Sequence, residues 1–222
     1  MQLHISLINR NLYEPSINLF IACSHSCRHK LRYQAFERQV NSSLAHMNKV
    51  KLVPLKAEDL EQFILDCQES FRYGSLEEFG ERNTHLDMDG EVMPHGEIEA
   101  VVDSPSAEAY LILADGTKAG GVVIDLDAEH NKGDLTLLFT NANVHSRGAG
   151  YAAWCEVERM HPEIKVWETL TPYFEKRNIH FYVNRCGFHI VEFFNEHHPY
   201  QGTDVEDANA FGGAFRFRKV MK

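Results

Sequence analysis

The chain of 222 residues is 44% hydrophobic and 24% charged, which is the ordinary composition of a globular protein. Its formal net charge of −10 argues against nucleic acid as the main partner. No apolar run approaches the ~18 residues that a membrane-spanning helix needs, and the five cysteines, none in a Cys-x-x-Cys pair, are typical of reduced thiols in a cytoplasmic protein.

Charge and composition divide the chain into two parts. Residues 1–46 contain no glycine and no aspartate and carry a net positive charge, whereas the rest of the chain is acidic. Met47 to Leu55 alternates polar and apolar residues in the manner of a first strand. We therefore expect a domain over 47–222 and an N-terminal extension over 1–46 that is unpacked or disordered. Cysteine and histidine alternate over 23–29, but no second cluster stands at zinc-finger spacing, so we expect no metal site.

Hydrophobic periodicity predicts the first half of the domain. Apolar residues recur at helical spacing after Pro54, and alternating or continuous apolar runs indicate strands further on. Asp115-Gly116 is typical of a tight hairpin turn between two strands. The predicted elements are a strand over 47–55, a helix over 56–71, a helix and loop over 74–96, a short helix over 98–102, and strands over 109–114 and 119–126.

The next segment joins a buried strand to a helix through a glycine-rich loop. Residues 135–139 form an apolar run of strand length, and the helix opened by Gly148-Ala-Gly150 runs to Met160. Amides at a helix N-terminus lack partners and the helix dipole adds partial positive charge, so the loop is a predicted anion site. The third glycine of a dinucleotide fingerprint and the lysine of a nucleotide P-loop are both absent. A tight turn without a ligand is the alternative.

The loop sequence His145-Ser-Arg-Gly-Ala-Gly150 resembles the acetyl-coenzyme A signature of the GNAT N-acetyltransferase superfamily. That signature follows a strand and reads Arg or Gln, two residues, Gly, any residue, then Gly or Ala; here His145 takes the first position. A second segment, Asn178 to Phe188, resembles the fourth-helix motif of the family, in which an Asn precedes Phe-Tyr and Gly-Phe begins the next strand. Tyr182 lies five residues before Gly187, where four is commoner in the family.

The remaining elements complete the same order. They are a strand over 164–170, a mostly helical segment over 172–186, and strands over 187–194 and 211–220, joined by a polar loop over 195–210. The resemblance spans residues 47–222. It implies an α/β (α+β) fold with a mixed, mostly antiparallel central sheet of about six to seven strands flanked by helices.

The resemblance also implies a site for acetyl-coenzyme A as cosubstrate. Main-chain groups at the end of the signature strand would hold the pantetheine arm, and amides of residues 146–150 would hold the pyrophosphate. Asn178 would orient the cofactor or a water, although a helix N-cap role is the alternative. The expected cofactor-binding residues are Phe139, Thr140, Val144, His145, Ser146, Arg147, Gly148, Ala149, Gly150 and Asn178.

Two catalytic roles follow from the resemblance. Tyr182 would protonate the departing thiolate, since a phenol of pKa ~10 can donate to a thiolate of pKa near ~8.5; packing of an amphipathic tyrosine on the helix is the alternative. An alkylamine of pKa ~10.4 must lose a proton before it attacks. Glu168 is the leading candidate for this base, and Asp134 and His180 are the others.

We therefore expect a cytoplasmic N-acetyltransferase, monomeric or homodimeric, that moves an acetyl group directly to a primary amine in a ternary complex. The amine would belong to a small molecule or a peptide, with no nucleic acid, membrane or metal involved. The alternative is a non-catalytic acyl-coenzyme A sensor on the same fold.

Overall fold

A computed structural model of the chain describes residues 50–79, 93–141, 148–200 and 213–222. The predicted extension over 1–46 and much of the segments 74–96 and 195–210 lie outside these ranges. The described elements are, in chain order, β1 (Val50–Pro54), α1 (Leu60–Phe79), α2 (His95–Val102), β2 (Ala107–Ala114), β3 (Thr117–Asp127), β4 (Lys132–Thr140), α3 (Ala149–Met160), β5 (Val166–Pro172), α4 (Lys176–His180), β6 (His189–Phe194) and β7 (Ala214–Val220).

The strands form one twisted sheet in the order β1-β2-β3-β4-β5-β7-β6. Every described neighbour pair is antiparallel except β4 and β5, which run parallel because α3 carries the chain back between them. Asp115 and Gly116, with φ of 51° and 83°, make the predicted tight turn between β2 and β3. The mixed, mostly antiparallel sheet with flanking helices confirms the predicted fold class.

Several predicted boundaries differ from the structure, and two of the differences have a clear physical reason. α1 continues to Phe79 rather than ending at Phe71, since an isolated glycine such as Gly74 weakens a helix without ending it. The segment 172–186 is mostly helical, as predicted, but its first residues are not. β5 extends to Pro172, where it pairs with Ala214, and α4 begins at Lys176.

The sheet buries a different cluster on each face. On one face α3 covers a cluster built around Trp154, Trp167, Phe188 and Phe217, each fully buried. On the other face α1 and α2 cover a cluster that includes Phe63, Ile98 and Phe139. The two faces are called the α3 face and the α1 face below. In the part of the chain that is described, no helix is long and apolar enough to cross a membrane.

Gly121 on β3 marks the closest packing on the α1 face. A Cβ at this position would lie 2.2 Å from Phe63 Cε2 and 2.6 Å from Phe139 Cε1. Gly121→Ala should therefore lower the free energy of unfolding by about 1–3 kcal/mol, the usual cost of overpacking a core. Urea denaturation checks the value.

Gly74→Ala in α1 is the control, because a Cβ there meets no described atom within 4 Å. It should raise the stability by about 0.5–1 kcal/mol, since alanine is the better helix former. Equal effects of the two substitutions would contradict this account of the packing.

Candidate active site

The parallel strands β4 and β5 stop pairing soon after they begin. Their register runs from Lys132↔Val166 to Asp134↔Glu168 and does not continue in the described residues. β5 goes on pairing with β7 as far as Pro172, while β4 goes on pairing with β3. The two strands therefore separate after Asp134 and Glu168 and leave an opening between them.

A bulge in β4 lies where this opening begins. Leu135 packs on the α3 face and Leu137 on the α1 face, although residues two apart on a regular strand share one face. The register with β3 shifts at the same point, between Val123 and Ile124. Thr136 is thus the extra residue of a β-bulge, a device that is frequent next to active sites.

The bulge decides which β4 backbone groups face the opening. Asn141 N donates to Ala119 O, and a Cβ on Gly120 would lie 2.1 Å from Phe139 O, so residues 139 and 141 direct their backbone groups toward β3. Alternation along the strand then directs those of Leu138 and Thr140 toward the opening. Thr140 O accepts a hydrogen bond from Ser70 Oγ at 2.8 Å.

The directions of these backbone groups differ between Phe139 and Thr140, the two residues of β4 that were predicted to contact the pantetheine arm. Phe139 has its side chain in the core, 5.1 Å edge-to-face from Phe63, and its carbonyl on the β3 side. Thr140 has its backbone toward the opening. Leu138 was not among the predicted residues, because strand periodicity alone cannot locate a bulge.

The N-terminus of α3 lies beside the end of β4. Gly148 is the N-cap residue with φ of 81°, and a Cβ there would meet no described atom within 4 Å. Ala149 is buried. A Cβ at Gly150 would lie 3.6 Å from Thr140 Cγ2 and 3.8 Å from the Phe181 ring. The other predicted loop residues, Val144, His145, Ser146 and Arg147, lie outside the described residues, so their role stays a prediction.

A π-helical turn follows α4 and carries Tyr182. The turn covers Phe181–Cys186, and the Gly187 N–H donates to Tyr182 O. A π-helical turn holds one residue more than an α-helical turn would. The additional residue between Tyr182 and Gly187 is therefore accommodated in the turn.

Tyr182 is buried on the α3 face with its hydroxyl directed at β5. Its ring centroid lies 5.5 Å from that of Phe217, and its hydroxyl hydrogen-bonds those of Thr169 and Thr171. Burial raises the pKa of Tyr182 to about 12. Thr169 Oγ1 also donates to Leu135 O on β4 at 2.8 Å. The phenol is thus joined to the start of the opening through a single threonine.

Three carboxylates lie side by side on the α1 face. Asp125, Asp134 and Glu168 occupy matching positions on β3, β4 and β5. Arg218 Nε donates to Glu168 Oε1 at 2.5 Å, and Ser104 Oγ donates to Asp125 Oδ2 at 2.8 Å. Partial burial, and then the charges of Glu168 and Asp125, raise the pKa of Asp134. Two of the three candidate bases, Asp134 and Glu168, are therefore adjacent at the position where β4 and β5 separate.

The other two predicted residues lie on α4. His180 is exposed, with its ring Nδ1 2.9 Å from the Asn184 amide. Asn178 Nδ2 donates to Glu175 Oε2 at 3.4 Å, and Glu175, not Asn178, is the N-cap residue of α4. The cofactor role of Asn178 stays a prediction.

Comparison with known proteins agrees with this fold. No family model matches the chain. YrkN, an uncharacterised protein of Bacillus subtilis (strain 168), is 39% identical over 180 residues, which cover 78% of this chain and 95% of YrkN. An acetyltransferase from Thermus thermophilus is 14% identical with a TM-score of 0.56, over 79% of this chain and 99% of that one. The PaiA N-acetyltransferase of Thermoplasma acidophilum, in complex with coenzyme A, is 16% identical with a TM-score of 0.54, over 78% and 99%.

Proposed function

Because this chain belongs to the same family as YrkN and has the GNAT fold, we propose that it is an N-acetyltransferase that moves the acetyl group of acetyl-coenzyme A to a primary amine. The observation that carries the proposal is the opening between β4 and β5. A buried phenol, Tyr182, is joined to its start on the α3 face through Thr169, and the carboxylates of Asp134 and Glu168 flank its start on the α1 face. An acid and a base thus lie on opposite faces of one gap in the sheet.

The coenzyme fits along β4. Its pantetheine arm carries amide groups, which can pair with the backbone of Leu138 and Thr140 as an added strand would. The opening ends beside Gly148 and Gly150, where the first turn of α3 can offer its backbone amides to the pyrophosphate. The PaiA enzyme, which shares the fold, was crystallised with coenzyme A.

The carboxylates suit a cationic acceptor. A protonated amine is attracted by Asp125 and Asp134, whereas Glu168 is paired with Arg218. Asp134 is the better base of the adjacent pair, because Arg218 pairs with Glu168 and occupies one of its carboxylate oxygens. The raised pKa of Asp134 moves it toward neutral pH, where a general base is most effective.

Acetyl transfer then proceeds by direct attack. The protonated amine gives one proton to Asp134, its nitrogen bonds to the thioester carbonyl carbon, and the C–S bond breaks as the carbonyl re-forms. The nitrogen then loses its second proton, which the departing thiolate takes up, so that the products are the neutral amide and the coenzyme A thiol. Full proton transfer from a phenol of pKa about 12 to a thiolate of pKa ~8.5 would be uphill by about 5 kcal/mol. Tyr182 therefore acts by donating a hydrogen bond to the sulfur as negative charge develops there.

Thiol release from acetyl-coenzyme A in the presence of diverse amines tests the proposal. We expect thiol release that depends on one class of amine, and we expect mass spectrometry to detect the acetylated form of that amine. Coenzyme A binding by calorimetry without turnover of any amine would instead indicate a non-catalytic acyl-coenzyme A sensor.

The pyrophosphate position is tested at Gly148 with two nearly isosteric residues. Any side chain there is strained by the left-handed backbone, and asparagine and aspartate tolerate it best. Gly148→Asp should bind coenzyme A at least tenfold more weakly than Gly148→Asn, a difference of about 1.4 kcal/mol, because only the former places a negative charge beside the phosphates. Equal affinities in calorimetry would refute the placement.

A further inference from the structure

The Tyr182 hydroxyl belongs to a directed chain of hydrogen bonds within the buried side of β5. Thr169 and Thr171 are two residues apart on this strand, so both side chains point to the α3 face, where they are 6% and 3% exposed. Both contact the Tyr182 hydroxyl. In such a dry environment each hydroxyl proton must have a defined acceptor.

The direction of the chain follows from counting protons. A threonine hydroxyl has one proton to donate. That of Thr169 goes to Leu135 O at 2.8 Å, so Thr169 can only accept from Tyr182. The phenol proton is then given to Thr169, and the remaining contact requires Thr171 to donate to the phenol oxygen. The order is Thr171 to Tyr182 to Thr169 to Leu135 O.

We propose that Thr171 is a positioning residue that acts through Tyr182, holding its oxygen by donation so that the phenol proton can be redirected from Thr169 to the leaving sulfur. This inference rests on the proposed function. As the C–S bond breaks, the phenol hydrogen bond strengthens and negative charge shifts onto the phenol oxygen. The Thr171 proton is already directed at that oxygen and stabilises the charge without rearrangement.

The aromatic packing leaves the phenol little other freedom. The Tyr182 ring is held among Phe181, Phe188 and Phe217, with centroid distances of 5.4, 5.8 and 5.5 Å. The ring therefore keeps its place while the hydroxyl proton rotates. Thr169 accepts the phenol hydrogen bond when no thioester is bound. Thr171 donates to the phenol oxygen both before and during the reaction.

The test is a double-mutant cycle between Thr171 and Tyr182. Thr171→Val, which keeps the shape and removes the hydroxyl, should lower kcat about tenfold and leave KM for acetyl-coenzyme A unchanged. Thr171→Ser should restore most of the rate. In a Tyr182→Phe background, Thr171→Val should cause no further loss, because the residue it acts through is gone.

The same tenfold loss in both backgrounds would overturn the inference, since it would mark an effect on packing. Equal rates for Thr171→Ser and Thr171→Val would also overturn it, because the methyl group and not the hydroxyl would then matter. Loss of amine acetylation in the Tyr182→Phe variant without any effect of Thr171→Val would refute the positioning role while leaving the proposed function in place.

A second measurement, by NMR, does not require the protein to acetylate an amine. The Tyr182 hydroxyl proton should give a slowly exchanging NMR signal in water, identified by its loss in Tyr182→Phe. In Thr171→Val this signal should move upfield and exchange faster. An unchanged signal would contradict the hydrogen-bond chain even in a protein that acetylates no amine.

Discussion

Replacing Asp134 with asparagine should lower kcat for acetyl transfer by about 10²- to 10⁴-fold, the contribution of a well-placed general base. The substitution keeps the size of the side chain and removes its ability to take the amine proton. Affinity for acetyl-coenzyme A should be unchanged, because the cofactor is expected along the later part of β4. Steady-state kinetics with a saturating amine measures the effect.

Asp125→Asn is the matched control for this prediction. It removes a carboxylate from the adjacent strand, where Asp125 accepts from Ser104 and lies away from the opening. It should weaken amine binding through lost attraction and leave kcat nearly as it was. A similar loss of kcat in both variants would show that Asp134 contributes charge and not proton transfer.

The pH dependence separates Asp134 from Glu168 as the base. Partial burial, and then the charge of Glu168, raise the pKa of Asp134. Glu168→Gln removes that charge, so the pKa of Asp134 should fall and the acid limb of the kcat profile should move to lower pH. Near-complete loss of activity in Glu168→Gln, without a shifted limb, would assign the base to Glu168 instead.

Replacing Tyr182 with phenylalanine should lower kcat by roughly 10²-fold. The ring and its packing against Phe217 are kept, so the melting temperature and acetyl-coenzyme A affinity should change little. Because burial raises the pKa of Tyr182 to about 12, the phenol stays protonated up to about pH 11. Any fall in kcat between pH 8 and 10 should therefore persist in the variant.

Tyr151→Phe on α3 is the control, since it removes a hydroxyl from a tyrosine that packs at the edge of the same cluster. It should leave kcat unchanged. A Tyr182→Phe variant with full activity and lowered stability would mean that this tyrosine only packs, and the leaving thiolate would then be stabilised by another group.

Local patterns in the sequence predicted most of the fold. The Asp115-Gly116 turn, the apolar run at 135–139 and the glycine-opened helix after it are each defined by neighbouring residues, and each forms as predicted. The predicted ends of strands and helices were less accurate where pairing with a distant part of the chain determines them. β5 extends to Pro172 because Ala214, more than forty residues later, provides its partner.

The site was harder to predict because its geometry depends on non-local contacts. The bulge at Thr136 changes which β4 residues face the opening. No residue type in the β4 sequence predicts a bulge at this position. The sequence analysis favours Glu168 as the base and places Asp134 behind it. Only the fold shows that Arg218, fifty residues after Glu168, pairs with the glutamate, and this contact is the reason why we propose Asp134 as the base instead.

The π-helical turn at Phe181–Cys186 has a consequence for how distant relatives are recognised. An insertion inside a helix normally rotates everything beyond it by about 100°. A π-helical turn confines one additional residue to a single turn, so the residues on either side of it can keep their positions while their spacing in the sequence changes. Search patterns with a fixed interval between these residues will pass over such chains. An alignment that allows a single-residue gap at this turn should recover them.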